Sequence, residues 1–258
     1  MGDRHSNSRP GRSRAAGRRD HGGAVTISIH PVRGIPEISE GDDLALLIGE
    51  RLTESGLGLR AGDVVVVTHK VVSKAEGRMV ELEDDGPHSH RRLVESESAG
   101  VLRRRGDLVI SETRHGFICA NAGVDRSNVG PGRAVLLPVD PDRSARRIRS
   151  RLVQRFGVEV AVVITDTFGR PFRRGLTDVA IGVAGFKPIS DLRGVPDDHD
   201  RMLEVTEVAV ADEIAAAADL AKGKVGGVPV AIVRGLSLPA GDGSATELIR
   251  PAPEDLFR

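Results

Sequence analysis

Short runs of β-branched and aliphatic residues recur along the chain and predict buried strands. Three of them, Asp63–Thr68, Val160–Ile164 and Val228–Val233, are strongly apolar and too short for a helix, which is typical of strands covered on both faces. We expect these three strands to form the centre of one sheet. Shorter apolar or alternating segments predict further strands at Ala24–His30, Asp107–Ser111, Ala134–Val139 and Val179–Val183.

Apolar residues at helical spacing separate these strands. Leu44, Leu47, Ile48 and Leu52 lie on one helical face and predict a helix over Asp42–Ser55. We expect further helices at Arg91–Arg105, Asp142–Phe156 and Met202–Ala221, and charged or turn-like segments at His69–Arg78 and Glu81–His90. The alternation predicts a mixed α/β (α+β) protein with a central sheet. Its spacing is too irregular for a barrel of eight βα units.

Composition divides the chain into three parts. Residues 1–23 are rich in Arg, Ser and Gly and have no apolar periodicity, which predicts a disordered tail. Residues 24–236 hold the predicted strands and helices and form the expected domain. Residues 237–258 are rich in Pro and Gly and carry little apolar material, so we expect a closing segment or the start of a linker, and not a second core.

Composition also limits the classes of protein to consider. The chain has 258 residues, of which 39% are hydrophobic and 29% charged, and its 37 basic residues balance 37 acidic ones. Because there is no broad basic surplus, we expect no nucleic-acid partner, the alternative being that the Arg-rich residues 1–23 form a basic arm that touches nucleic acid. The single cysteine, Cys119, excludes an intrachain disulfide and a cysteine metal cluster. No apolar run approaches the roughly 18 residues of a membrane span and no signal peptide is visible, so we expect a cytoplasmic protein without a membrane partner.

Oxygen ligands and arginines follow the apolar run at Val160–Ile164. Asp166 and Thr167 stand at the expected end of the strand, and the next residues predict a tight loop that carries Arg170, Arg173 and Arg174. A carboxylate holds a hard cation, and guanidinium groups bind phosphate or carboxylate oxygens, as polyphosphate chemistry requires. The alternative is that Asp166 only caps a turn and that the arginines are solvated.

A second acidic candidate lies in another glycine-containing loop. Asp125 precedes Asn128 by three residues, and two carboxylates together with Thr167 provide oxygen ligands of the kind that Mg²⁺ or Mn²⁺ takes. Motifs of other enzyme classes are absent from the sequence. It has no phosphate-binding G-x-x-x-x-G-K-[ST] loop, no dinucleotide fingerprint and no G-x-S-x-G nucleophile elbow.

Four long segments resemble one known family. They are GIPEI at residues 34–38, GDVVVVTHKVVSKAEGR at 62–78, RHGFICANAGVDRSNV at 114–129 and ITDTFGRPFRRGLTDVAIGVAGFKPISDLRG at 164–194. These segments look like those of the coenzyme F420-0:L-glutamate ligases, or F420 γ-glutamyl ligases, over residues 24–236. The resemblance implies an F420 γ-glutamyl ligase-like fold with a central mixed sheet. It also implies a homodimer that adds L-glutamate to F420-0 with GTP as co-substrate, Mg²⁺ or Mn²⁺, and K⁺.

The resemblance also assigns roles to residues. It implies that Asp125, Asp166 and Thr167 bind metal. From their charge, and not from the resemblance, we expect Arg170, Arg173 and Arg174 with Lys74 to hold phosphates or the acidic substrates. The resemblance implies GTP binding by Ile35, Pro36, Glu37, Ile38, His69, Lys74, Asn128, Lys222, Gly223, Lys224, Val225, Gly226, Gly227, Val228 and Pro229. Lys224 departs from the Gln or Glu of several members, and a charged lysine cannot ligate a cation, so a second metal position is in question. No residue stands out as the general base.

Two other functions stay open on the residues alone. A metal-dependent nucleotide phosphohydrolase would use the same carboxylates to activate water. A non-catalytic nucleotide-binding protein would need no pair of metal-binding carboxylates. Some relatives continue into a flavin-binding domain, and since residues 237–258 are too poor in apolar material for one, we expect no bound flavin and short glutamate tails.

Overall fold

The structure is a computed structural model that describes residues 26–84 and 86–256. The expected disordered tail at residues 1–23 therefore lies outside the described residues, as does the start of the first predicted strand. In chain order the first elements are β1 (Ser28–Val32), α1 (Leu44–Glu54), β2 (Val64–Thr68), α2 (His69–Ala75), β3 (Met79–Glu81), α3 (Pro87–Glu97), β4 (Ser98–Arg105), β5 (Leu108–Thr113) and β6 (Ile118–Ala120). After them come β7 (Arg133–Val135), α4 (Pro141–Phe156), β8 (Ala161–Gly169), β9 (Leu176–Ala184), β10 (Ser190–Asp191), β11 (Glu207–Val208), α5 (Val210–Lys222) and β12 (Val230–Arg234).

A five-stranded mixed sheet forms the centre of the fold, with the strand order β1-β12-β2-β8-β9. Strands β2 and β8 are parallel, and the other neighbours are antiparallel. The three strands expected at the centre are thus adjacent, and the predicted mixed α/β class is confirmed. Val64–Val67 of β2 are fully buried, as expected for a run that is apolar on both faces.

Helices α4 and α5 both pack on this sheet and complete the main core. Helix α4 begins where Asp140 caps it by accepting a hydrogen bond from the backbone N–H of Arg143, with Pro141 in the first turn. It ends at Gly157, whose φ of 68° lies in the left-handed region that favours glycine. Local signals therefore set both ends of α4, close to the predicted bounds.

A smaller core lies beside the main one. Its buried residues are Val94, Val109, Ala122, Val124, Ala134 and Leu136, drawn from α3, the strands that follow it and their loops. Next to this core, Asp125 exchanges two backbone hydrogen bonds with Val135. The small core thus holds the Asp125 loop in place, which matters for the site described below.

The predicted helix over Arg91–Arg105 is wrong in its second half. Helix α3 begins earlier, at Pro87, and Ser98–Arg105 form strand β4, which pairs with β5. Pro87 suits the first turn of a helix, whereas Gly100 disfavours the middle of one. The expected turn-like character of Glu81–His90 is therefore wrong from Pro87 onward.

Other boundaries also differ from the prediction. Helix α5 covers only the second part of Met202–Ala221, since Glu207 and Val208 before it form the short strand β11. Strand β7 ends at Val135 and not at Val139. The charged segment after β2 is the helix α2, which the sequence did not predict. None of the helices in residues 26–84 and 86–256 is both long and apolar enough to cross a bilayer.

Candidate active site

A cleft of about 530 Å³ lies at the carboxyl ends of the parallel strands β2 and β8. Because the two strands are adjacent, the residues that follow them meet at one edge of the sheet. The wall of the cleft comes from segments that are far apart in the sequence. The lining residues are Ile35, Pro36, Glu37, Ile38, Thr68, Lys70, Val71, Lys74, Asn128, Asp166, Thr167, Asp178, Asp219, Lys222, Gly223, Lys224, Val225, Gly227, Val228 and Pro229.

The cleft brings together most of the residues that the resemblance assigned to the nucleotide. They are Ile35–Ile38, Lys74, Asn128 and Lys222–Pro229, of which Gly226 alone does not line the cleft. His69 does not line it either, because its side chain is buried behind the cleft wall. The structure thus places these segments around one cavity, and their contact with nucleotide stays a prediction.

Helix α2 supplies two of the lysines in the cleft. Lys70 and Lys74 are four residues apart and therefore project from one face of the helix. The Nζ atom of Lys70 lies 2.8 Å from Oδ2 of Asp125. The Nζ atom of Lys74 donates to Oε1 of Glu37 at 2.6 Å and to the carbonyl oxygen of Asn128 at 3.4 Å. The two lysines thereby attach α2 to the loops on either side of the cleft.

Asp125 is held as a carboxylate beside the cleft. Burial raises its pKa, but hydrogen bonds from Lys70 and from the backbone N–H of Ser127 outweigh that effect, so the pKa lies below its ordinary value. The Ser127 N–H donates to Oδ1 at 2.6 Å. Asp125 itself does not line the cleft, whereas its partner Lys70 does.

Asp166 lies within strand β8, because the strand continues past Ile164 and ends at Gly169. The prediction that the strand ends at Ile164 is therefore wrong. Thr165–Thr167 pair with β9 after a register shift between Ile164 and Thr165, and such an irregularity redirects the side chains that follow it. Asp166 and Thr167 both line the cleft.

His69 lies directly behind Asp166. Its Nε2 atom is 3.2 Å from Oδ1 of Asp166, yet the two atoms are not aligned for a hydrogen bond. Within the described part of the chain, this buried nitrogen has no hydrogen-bond partner. Asp125 and Asp166 are thus approached by the consecutive residues Lys70 and His69, which brings the two carboxylates to the same end of β2.

A buried ionic network closes the opposite side of the cleft. Asp178 of β9 accepts hydrogen bonds at Oδ2 from Lys222 (2.9 Å) and at Oδ1 from Lys224 (2.7 Å). Burial raises the pKa of Asp178, but the two lysines and Thr167 lower it more strongly, to about 2. The side chains of Asp178 and Lys222 are 4% and 3% exposed, so this pair is almost fully desolvated.

The residues expected to bind metal suit one cation better than two. In residues 26–84 and 86–256, no group of three or more His, Cys, Asp or Glu side chains is arranged to hold a metal ion. Asp166 lines the cleft and offers carboxylate oxygens of the kind that a hard cation takes, whereas Asp125 already accepts from the Ser127 N–H at Oδ1 and pairs with Lys70 at Oδ2. The Thr167 hydroxyl does not fit a second one, because it donates to Asp178 and accepts from Lys224.

The structure does not bring the three predicted substrate-binding arginines into the cleft. Arg170, Arg173 and Arg174 lie in the turn between β8 and β9, where Arg170 donates to the carbonyl oxygen of Arg174 at 2.7 Å. Pro171 and Phe172 of the same turn line a different, more apolar cleft of about 940 Å³. Their binding of acidic substrates stays a prediction.

Several residues of the cleft were missed by sequence reasoning. They are Thr68, Lys70, Val71, Asp178 and Asp219. One signal was available for Asp178, since an aspartate inside the apolar segment LTDVAIGVA implies a buried charge with a partner. Lys70 was also visible as a second lysine one helical turn before Lys74, once α2 is recognised as a helix.

Comparison with known proteins identifies the family. The model of the F420-0:Gamma-glutamyl ligase family matches residues 34–235. The chain belongs to this family. A relative named coenzyme F420:L-glutamate ligase, from Methanothermobacter thermautotrophicus, is 47% identical over 90% of this chain and 99% of its own length. A relative of the same name from Methanopyrus kandleri is 42% identical over 92% of this chain and 100% of its own length. Another from Archaeoglobus fulgidus is 42% identical over 91% of this chain and 97% of its own length.

These matches cover nearly the full length of the relatives, so they concern the whole domain and not one motif. They confirm the family expected from the four sequence segments. They also confirm that the chain is an enzyme of the ligase class.

Proposed function

We propose that this F420 γ-glutamyl ligase joins L-glutamate to the precursor F420-0, adds further γ-linked glutamates, and uses GTP as co-substrate. Membership of the family supports the ligase reaction. The observation that carries the proposal is the cleft itself. Lys70 and Lys74 of α2 and the carboxylate of Asp166 line one cavity of about 530 Å³, and positive charge beside a carboxylate suits a polyphosphate with its cation.

The reaction needs an activated acyl group, since a carboxylate does not react with an amine at a useful rate. In the proposed sequence, a carboxylate oxygen of F420-0 attacks the γ-phosphorus of GTP, and the bond from that phosphorus to the GDP oxygen breaks. The amine of glutamate then attacks the carbonyl carbon of the acyl phosphate. Inorganic phosphate leaves with its bonding electron pair, the nitrogen loses a proton, and an amide remains.

Residues of the cleft have separable roles in this proposal. Asp125 and Asp166 would hold a divalent cation, which when bound neutralises charge on the phosphate oxygens. Lys70 and Lys74 hold the loops that carry Asp125, Glu37 and Asn128 against α2. With these loops fixed, the cleft presents positive charge and carboxylates in a constant arrangement, which reduces the reorganisation that the reaction requires.

The test is to incubate the purified protein with F420-0, GTP, Mn²⁺ and L-glutamate and to follow all products by mass spectrometry. We expect one GDP and one phosphate for each glutamate added, and no GTP loss when either F420-0 or glutamate is omitted. GTP loss that needs neither substrate would indicate a phosphohydrolase. Unchanged GTP and F420-0 in the complete mixture would indicate a binding protein, and either result would overturn the proposal.

Two other features of the proposal come from the resemblance alone. We infer that the enzyme is a homodimer and that K⁺ assists it, and from the sequence we infer that it works in the cytoplasm. Light scattering on the purified protein checks the dimer, since a mass near twice 27.4 kDa is expected. A mass of one chain at working concentration would contradict the dimer.

A further inference from the structure

Lys224 makes unusual contacts for a lysine at the mouth of a polyphosphate cleft. Its Nζ atom donates to Oγ1 of Thr167 (2.9 Å), to Oδ1 of Asp178 (2.7 Å) and to Oδ1 of Asp219 (2.7 Å). An ammonium group has three hydrogens, so all of its donors are used inside the protein. Lys224 therefore has no donor left for a phosphate oxygen.

The three acceptors come from three different elements, β8, β9 and α5. Two of them are carboxylates that approach the same nitrogen. Without a positive charge between them these carboxylates would repel each other, because Asp178 is only 4% exposed and is poorly screened by water. The arrangement is that of oxygen ligands around a cation.

Charge balance supports the same conclusion. Asp178 and Asp219 contribute two negative charges, and Lys222 and Lys224 two positive ones. Lys222 is committed to Oδ2 of Asp178 and to the Thr165 hydroxyl. It leaves Oδ1 of Asp178 and the Asp219 carboxylate to Lys224, so removal of the Lys224 charge leaves a net negative pocket.

We propose that the Lys224 ammonium is a built-in cation, which occupies an oxygen site of Thr167, Asp178 and Asp219 that otherwise takes a dissociable cation. Lys224 is thus a positioning residue, and it fastens the segment 222–229 to β8 and β9 at the cleft wall.

The nitrogen–oxygen distances of 2.7–2.9 Å exceed the roughly 2.0–2.1 Å of Mg²⁺ ligands. The site therefore suits a large monovalent ion such as K⁺ better than Mg²⁺. The inference concerns cation binding without substrates and does not depend on the proposed reaction.

The experiment measures thermal midpoints of Lys224→Met protein against KCl, with choline chloride keeping the ionic strength constant, and against MnCl₂. Met retains the length of the side chain and removes its charge. We expect a saturable rise of about 3 °C or more in the variant at ten times the dissociation constant. Wild-type protein and the control Lys187→Met, whose side chain lies against Gly241 outside the cleft, should not show this added rise.

Three further variants separate cation binding from a general structural effect. Lys224→Arg keeps the positive charge and should behave as the wild type does. Lys224→Gln repeats the test should the Met variant fail to fold. The double variant Lys224→Gln with Asp219→Asn removes one carboxylate and should lose the acquired response. The proposal is overturned if K⁺ and Mn²⁺ raise the thermal midpoints of both uncharged variants no more than they raise that of the wild type.

Discussion

At the residue scale, the cleft depends on charged side chains whose partners are all within the protein. Asp125 pairs with Lys70, Glu37 with Lys74, and Asp178 with two lysines. Such pairs are weak sources of stability when exposed but become costly to break when buried. Substitutions in the cleft should therefore divide into those that affect turnover and those that affect folding.

Asp166→Asn belongs to the first group. Asp166 lies at the rim of the cleft, and Asn retains an oxygen that can accept the 2.6 Å hydrogen bond from the Thr167 N–H. We expect the loss of one charge at the proposed cation site to abolish glutamate addition while the thermal midpoint changes little. The control is Asp198→Asn, at an exposed position away from the cleft. Near-normal turnover of Asp166→Asn at saturating Mn²⁺ would refute the assignment.

Asp178→Asn belongs to the second group. It leaves the ammonium of Lys222, whose side chain is 3% exposed, without its counter-ion. We expect a loss of about 3–5 kcal/mol in the free energy of unfolding at neutral pH, as for other broken buried pairs. Urea unfolding monitored by circular dichroism measures this loss, and a loss below about 1 kcal/mol would show that the pair is solvated.

The contribution of Asp178 to the stability of the fold should decrease as the pH is lowered. The pKa of its carboxyl is lowered from 3.8 to about 2 in the folded protein. Its contribution to stability is therefore complete above pH 3.8 and is lost as the pH falls through about 2. We expect the difference in midpoint between wild type and Asp178→Asn to shrink over this interval. A difference that stays constant from pH 5 to pH 2 would contradict the pairing.

At the element scale, the position of α4 on the sheet depends on a glycine, Gly182, in β9. A Cβ atom at Gly182 would lie 2.5 Å from the backbone oxygen of Pro141, in the first turn of α4. Backbone atoms yield less easily than the end of a flexible side chain, so helix and strand would have to separate. The close approach also explains how Asp142, one residue further on, accepts a hydrogen bond from the Val183 N–H at 2.7 Å.

Gly182→Ala should consequently destabilise the fold. We expect a loss of about 1–3 kcal/mol or more, the range for overpacked cores. Gly169→Ala is a matched control, because Gly169 ends the neighbouring strand β8 and an added Cβ there meets no atom within 4 Å. Thermal unfolding of both variants gives the comparison, and equal midpoints would show that α4 shifts without cost.

At the scale of the whole molecule, the cleft joins segments that are far apart in the sequence. The cleft is lined by Ile35–Ile38, helix α2, strands β8 and β9 and the segment 222–229, which the fold around the central sheet brings together. A ligand that contacts several of these segments stabilises the folded chain by mass action, because the unfolded chain has no such site. Nucleotide binding should therefore appear in the stability of the whole protein.

We expect a non-hydrolysable GTP analogue to raise the thermal midpoint more than the matching ATP analogue does. Guanine and adenine reverse donor and acceptor at the six-position, so a site built for one leaves buried groups unpaired with the other. The corresponding preference in kcat/KM should be at least about tenfold, equivalent to about 1.4 kcal/mol. Equal midpoint shifts and equal kcat/KM values for the two nucleotides would reject a guanine-specific site.

Much of the fold was predictable because its signals are local. The runs Val64–Val67 and Ala161–Ile164 are buried strands in any arrangement that forms a core, and Asp140, Pro141 and Gly157 set the bounds of α4 wherever it packs. The family was likewise visible in contiguous segments. Ser98–Arg105 was not predictable as a strand, since its residues pair with β5 and owe their conformation to that partner.

Tertiary structure alone decided how the site is assembled. The sequence by itself determined the residue types, the central strands and the segments that carry Asp125, Asp166 and Lys224. Which charges meet depends on the parallel pairing of β2 with β8 and on the register shift after Ile164. That geometry places Asp178 between two lysines and leaves the three arginines outside the cleft. The physical reason is that ion pairs act over a few ångströms in space, whereas their partners lie tens of residues apart along the chain.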